Sequence, residues 1–288
     1  PMAALRTVAS ALGMYDPNAD DNSDAELRRK AILLTAQFPT ATAAYDRIRR
    51  GLEPVAPRDG LDTAANFLYM LNGEEANETR IKTMDVALVL HAEHGSNAST
   101  FVARATASTL TDVYSAVVAA IGSLKGPLHG GANTAVMQML EEIGSVEAVE
   151  GYLMDKLSQP KARIPGFGHR VYRVLDPRAA VLEGVSEKLA EESGDAKWFA
   201  MSQEVERVMG EEMDRRGKQV RPNVDFFSAS VYRMLGFPAE MYTPIFTVAR
   251  VPGWAAHLLE QYADNRLMRP ELAYKGEKGR TFVPVEER

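Results

Sequence analysis

Residues 112–144 read DVYSAVVAAIGSLKGPLHGGANTAVMQMLEEIG, and this stretch decides the fold class. From Asp112 to Leu124 the chain is rich in Ala and Val, then stops at Gly126-Pro127, a helix terminator followed by a residue that cannot continue it. A second helix opens just after Gly130-Gly131. It carries Ala132, Val136, Leu140 and Ile143 on one side and closes near Gly144. Two helices joined by a glycine-rich turn set the pattern for the rest of the chain. Outward from here, apolar spacings of three and four recur, and Val, Ile and Thr rarely alternate with polar residues over a strand length. A helix begins after Pro222 with Phe227, Val231 and Leu235 in register and ends at Gly236. Another runs from Pro244 to Tyr262, with a kink or break expected at Pro252-Gly253. The Asp- and Asn-rich segment from Asp16 to Asp24 reads as a surface connection before a helix near Ala25, and loops are expected at 53–60, 93–99, 126–131, 158–178 and 214–223. The prediction is an all-α protein.

The chain has 288 residues, enough for one large or two modest domains with a core that needs no staples. Cysteine is absent, which excludes disulfides, thiolate catalysis and Cys-ligated metal, and fits a reducing cytoplasm. A net charge of −6 argues against nucleic acid as the main partner, although local arginines can still recruit a small anion. No run of about 18 apolar residues is present, so no membrane partner is expected. The start, Pro1 to Ser10, does not read as a signal peptide.

Three of the five expected loops contain a histidine, in a chain with only five. His91 and His94, in HAEHGSNAS, lie three apart near a helix end: a metal pair, or a capping or core histidine. His129, in GPLHGGAN, sits beside a positive helix terminus whose field favours a neutral ring able to donate to an oxyanion. The alternative is a tight turn that uses its glycines for geometry alone. In PGFGHRVYRVLDPR, residues 165–178, His169, Arg170, Arg173 and Arg178 face one acid, Asp176, which suggests phosphate or carboxylate recognition or a solvated basic loop. Asp225, in RPNVDFF, falls in the first turn of its helix, where Asp caps amides and where the dipole would keep it ionised as a general base. Arg250, in an apolar stretch, needs either an internal acid or an anionic ligand, whereas His257 reads as structural.

Taken in order, HAEHGSNAST, GPLHGGAN, PGFGHRVYRVLDPR, PNVDFFS, an Arg before PGWAAHLLEQ, and NRLMRP resemble the citrate synthase family over nearly the whole chain. The resemblance implies a two-domain helical fold, with residues 1–129 and 238–288 in a large domain and 130–237 in a small one. It implies a tricarboxylic acid cycle transferase that condenses acetyl-CoA with oxaloacetate and hydrolyses citryl-CoA to citrate and CoA. His129 would hydrogen-bond the thioester carbonyl, Asp225 would take the acyl proton, and His169 would polarise the oxaloacetate carbonyl. His94, Arg178 and Arg250 would hold oxaloacetate carboxylates, and Arg269 would bind oxaloacetate in the neighbouring subunit's site in a homodimer. Arg173, the loop of Gly166, Phe167 and Gly168, and Lys218 would serve CoA. No metal and no cofactor beyond the CoA substrate is implied.

The resemblance also has departures. PMAALRT lies well inside the family's sequence, so an N-terminal region is expected to be missing. DFFSA, at 225–229, stands where many members have DFYSG and also resembles 2-methylcitrate synthases, which use propionyl-CoA. Citrate synthase is the first expectation, 2-methylcitrate synthase the second, and a metal-dependent hydrolase built on the HAEH pair the outsider.

Overall fold

The computed structural model describes residues 1–160, 162–169, 171–172, 175–194 and 196–288. Its helices are α1 (Met2–Tyr15), α2 (Asp24–Arg49), α3 (Thr63–Asn72), α4 (Glu78–Ala92), α5 (Ala98–Ala107) and α6 (Val113–Leu124). They continue with α7 (Ala132–Ile143), α8 (Val149–Ser158), α9 (Pro177–Ser193), α10 (Lys197–Arg215), α11 (Val224–Met234) and α12 (Tyr242–Ala263). Among the described residues there is no strand, only an isolated bridge between Phe167 and Pro222. No described helix is long and apolar enough to cross a membrane.

Short polar side chains start these helices by taking first-turn amides that lack an intrahelical partner. Asp62, Asn77, Asn97 and Asp112 each accept the N–H three residues on, opening α3, α4, α5 and α6. Asp176 and Asn223 do the same two residues on, for α9 and α11. Gly73 closes α3 in the left-handed conformation at φ +84°, where a side chain would be strained.

α12 is the central element. Apolar on most sides, it packs on α2, α4, α5 and α6, with Trp254 and Tyr242 fully buried. α11 packs on α7, α9 and α10, and α9 also meets α4, which joins the two groups of helices. Of the kink or break expected at Pro252, the break does not occur: α12 is a single helix from Tyr242 to Ala263 with the proline inside it. Its neighbour explains why small residues sit there: a Cβ on Gly253 would lie 1.9 Å from the Ala92 carbonyl oxygen, so α12 crosses the end of α4 in backbone contact. Proline in a helix costs one hydrogen bond; tertiary packing around the crossing outweighs that loss. α2 holds a second internal proline, Pro39, that the sequence pattern did not single out.

The acidic connection at 16–22 is ordered by a buried lysine. Lys30 has no exposed surface, and its Nζ donates to the carbonyl oxygens of Ala19 and Asp21, both at 2.7 Å.

Candidate active site

The GSNAST segment places the first catalytic candidate. Asn97 caps α5, its Oδ1 accepting from Thr100 N–H at 3.2 Å and lying 2.8 Å from Ser99 Oγ, whose single proton serves either it or His129 Nε2. That leaves the first-turn amide of Ser99, which donates to His129 Nε2 at 3.3 Å, while Ser99 Oγ lies 2.8 Å from the same nitrogen. Trp254 Nε1–H donates to Ser99 Oγ at 3.1 Å. An amide N–H can only donate, so His129 Nε2 is an acceptor and the ring proton sits on Nδ1. Burial pushes His129 down to about 4, and the charge of Arg250 adds to the effect, so the ring is neutral at pH 7. The helix terminus that donates to His129 is that of α5, a partner its place in the sequence before α7 did not suggest. The turn carrying it is held by backbone contact: Gly130 N–H donates to Leu124 O at 3.0 Å, and a Cβ there would meet that oxygen at 2.3 Å.

Asp225 sits one residue into α11, its own N–H taken by the Asn223 cap at 3.0 Å. The side chain is partly exposed, but Oδ1 is buried with no partner among the described residues. Burial pushes its carboxyl up to about 6, while Arg178 and Arg250 pull down and Asp176 pushes up. Position in a helix first turn suggested a carboxyl held firmly ionised. Desolvation outweighs that field, giving a carboxylate at neutral pH that is more basic than an exposed aspartate.

Asn223 also fastens the 164–169 loop. Its N–H donates to Gly166 O and its Nδ2 to Gly168 O, both at 2.8 Å, and Gly168 N–H donates to Arg221 O at 2.9 Å. Gly166 has φ +77°, and a Cβ there would come within 2.7 Å of Val136, so only glycine fits. The loop delivers His169, whose Nδ1 accepts from Val171 N–H at 3.0 Å and Tyr172 N–H at 3.2 Å. Its Nε2 therefore carries the proton and can donate. Burial, then Arg178, lowers the pKa of His169. The His94 and His169 rings meet edge to face at 5.1 Å.

Two arginines bring positive charge. Asp176 is fully buried; Arg178 forks onto it through Nε (3.0 Å) and Nη2 (2.8 Å), and Val224 N–H also donates to it. The acid of the 165–178 loop thus orients Arg178 and leaves Nη1 outside the fork. Arg250 is only 2% exposed, donates from Nε to His91 O at 2.6 Å, and lies over the Phe246 ring at 4.8 Å. No carboxylate pairs with it among the described residues, which favours the anionic-ligand reading of the sequence over the internal-acid one. Burial lowers its pKa to about 10, so it stays charged at pH 7.

His91 and His94 do not converge. His91 is buried, donates from Nδ1 to Ala87 O at 2.8 Å and packs on Phe246, whereas His94 lies beyond the end of α4 with His169 and Tyr172. Among the described residues no group of three His, Asp or Glu could hold a metal. His257 bridges Glu93 and Arg104, the structural role expected of it. Lys218 and Arg269 are exposed and make no side-chain contact with these groups. Arg173 lies outside the described residues. Sequence reading missed Ser99, Trp254 and Tyr172; the polar SNAS run after His94 and one of only two tryptophans were the available signals.

The model of the family described as Citrate synthase, C-terminal domain, matches residues 1–271. The chain belongs to the citrate synthase family. A citrate synthase from Haloferax volcanii is 54% identical over all of this chain and 76% of its own length. Citrate synthase 2 from Bacillus subtilis is 52% identical with the same coverage. A solved ternary complex of carboxymethyl coenzyme A and oxaloacetate with the Thermoplasma acidophilum citrate synthase superposes with a TM-score of 0.90, at 33% identity, covering 100% of this chain and 76% of that one. A 2-methylcitrate synthase from Shewanella oneidensis is more distant, at 41% identity over 100% of this chain and 75% of its own length. Citrate synthase family members are enzymes that transfer an acyl group, so the histidines, aspartate and arginines gathered here belong to an acyltransferase.

Proposed function

We propose that this chain condenses acetyl-CoA with oxaloacetate and hydrolyses the citryl-CoA formed to citrate and CoA. The observation that carries the reading is the complementary setting of His129 and Asp225: a neutral imidazole with its proton on Nδ1, and a desolvated carboxylate. A thioester α-proton is a weak acid, so its removal by a carboxylate requires the carbonyl oxygen to be stabilised at the same time. Asp225 takes the methyl proton while His129 Nδ1–H donates to the developing enolate oxygen. The methyl carbon then bonds to the oxaloacetate keto carbon, whose oxygen is polarised by His169 Nε2–H and ends as a hydroxyl. Water next cleaves the thioester C–S bond, giving a carboxylate and the free thiol. His94, Arg178 and Arg250 neutralise the oxaloacetate carboxylates. The two substrates and water suffice for this sequence, with no resident cofactor.

Residues 1–129 with 238–288, and 130–237, act in this reading as a large and a small domain. His94 and Arg250 come from the first, His169, Arg178 and Asp225 from the second, and closure between them excludes water until condensation. The working unit is a cytoplasmic homodimer in which Arg269 serves the partner's site, and Arg173, Gly166, Phe167, Gly168 and Lys218 contact CoA. The test is thiol release with oxaloacetate and either acetyl-CoA or propionyl-CoA. Release that requires oxaloacetate establishes the condensation, and a higher kcat/KM with acetyl-CoA selects citrate over 2-methylcitrate formation. No release with either thioester sinks the reading.

A further inference from the structure

Tyr172 makes three separate contacts within the oxaloacetate end of the site. Its backbone N–H donates to His169 Nδ1 at 3.2 Å. Its hydroxyl lies 3.2 Å from His94 Nε2. Its ring packs against His169 at 4.9 Å and His94 at 5.5 Å, with the Arg178 guanidinium 6.0 Å from its centre. One loop residue thus contacts His94 and His169 and lies near Arg178, three of the side chains proposed to bind oxaloacetate.

We infer that Tyr172 is a positioning residue for oxaloacetate, its hydroxyl holding His94 in the tautomer and orientation that present the other ring nitrogen to a substrate carboxylate. The chemistry follows from the donor inventory. A neutral imidazole has one donor and one acceptor nitrogen, and which is which depends on the hydrogen bond at the other. With the tyrosine O–H donating to Nε2, His94 carries its proton on Nδ1 and can donate from there. Without the hydroxyl, the ring is free to flip or to exchange tautomers, and part of its population presents an acceptor to an anion.

The inference rests on the proposed function, and a binding measurement separates the two. Calorimetric titration of oxaloacetate onto the wild-type chain, Tyr172→Phe, His94→Asn and the double variant, without acyl-CoA, reads affinity directly. Tyr172→Phe keeps the amide and ring contacts and removes only the hydroxyl. It should weaken oxaloacetate binding about 5- to 10-fold, the size of one hydrogen bond. In the His94→Asn background the same change should have no effect, because its partner is gone. In turnover, KM for oxaloacetate should rise by a similar factor, with kcat falling less than about threefold and KM for acyl-CoA unmoved. An unchanged or tighter affinity in Tyr172→Phe, or an equal loss with and without His94, overturns the inference while leaving the condensation intact. A wild-type chain that binds no oxaloacetate overturns both.

Discussion

At the scale of single residues, Asp225 joins reactivity to instability. Burial raises its carboxyl to about 6 in the fold against 3.8 when exposed, and Oδ1 has no partner among the described residues, so the folded state holds the proton more tightly than the unfolded chain. The cost to stability is therefore full above pH 6 and vanishes as pH falls below about 4. Asp225→Asn should abolish most thiol release, a loss of about 10²–10⁴-fold for a general base. The same variant should be more stable than wild type at pH 7 by roughly 1–3 kcal/mol. Denaturant titrations at pH 7 and pH 4 check this, with the gain shrinking at the lower pH. A loss of stability at pH 7 would mean that the carboxylate is compensated in a way its geometry does not suggest.

At the scale of elements, the crossing of α4 and α12 joins the two arms of the arginine site. Because Gly253 lets α12 lie against the Ala92 carbonyl, Arg250 one turn earlier reaches His91 O, the last turn of α4. Gly253→Ala forces a methyl to within 1.9 Å of a backbone oxygen, which only separation of the helices relieves. We expect a destabilisation of about 2–4 kcal/mol in thermal or urea unfolding, the range of severe core overpacking, and a weaker oxaloacetate site in whatever remains folded. Sequence reading foresaw helix pairs, their glycine-punctuated turns and the residues that carry charge. It misjudged this crossing, because Pro252-Gly253 punctuates a helix by local rules while the packing that overrides them comes from a helix some 160 positions earlier (Ala92 against Gly253). Tyr172 was illegible for the same reason, and Ser99 had only the polar SNAS run to mark it, since neither is a chemically distinctive type. Their importance comes from where His129 and His94 meet them, 30 and 78 positions away. His169 and Asp225 stand out in the sequence together with their supports, the Val171 and Tyr172 amides and the Asn223 cap, whereas His129 takes its hydrogen bond from Ser99, 30 positions away.

At the scale of the molecule, the exposed Arg269 divides the proposals cleanly. It stands beyond α12, exposed and outside any described helix. If sites are shared between subunits, His129→Ala and Arg269→Ala chains should each be nearly inactive alone. Unfolded and refolded together, they should recover activity, because a mixed dimer contains one site with both residues intact. Rates measured before and after mixing decide this, and absence of recovery would place Arg269 outside the site. The contact that fixes His129 has a consequence of another kind. Its decisive partner is the N–H of Ser99, and every amino acid but proline supplies one. Ser99→Ala would therefore register the loss of a hydroxyl, while the backbone bond that sets the tautomer stays in place. The proton on His129 is protected by the genetic code's inability to edit the peptide backbone.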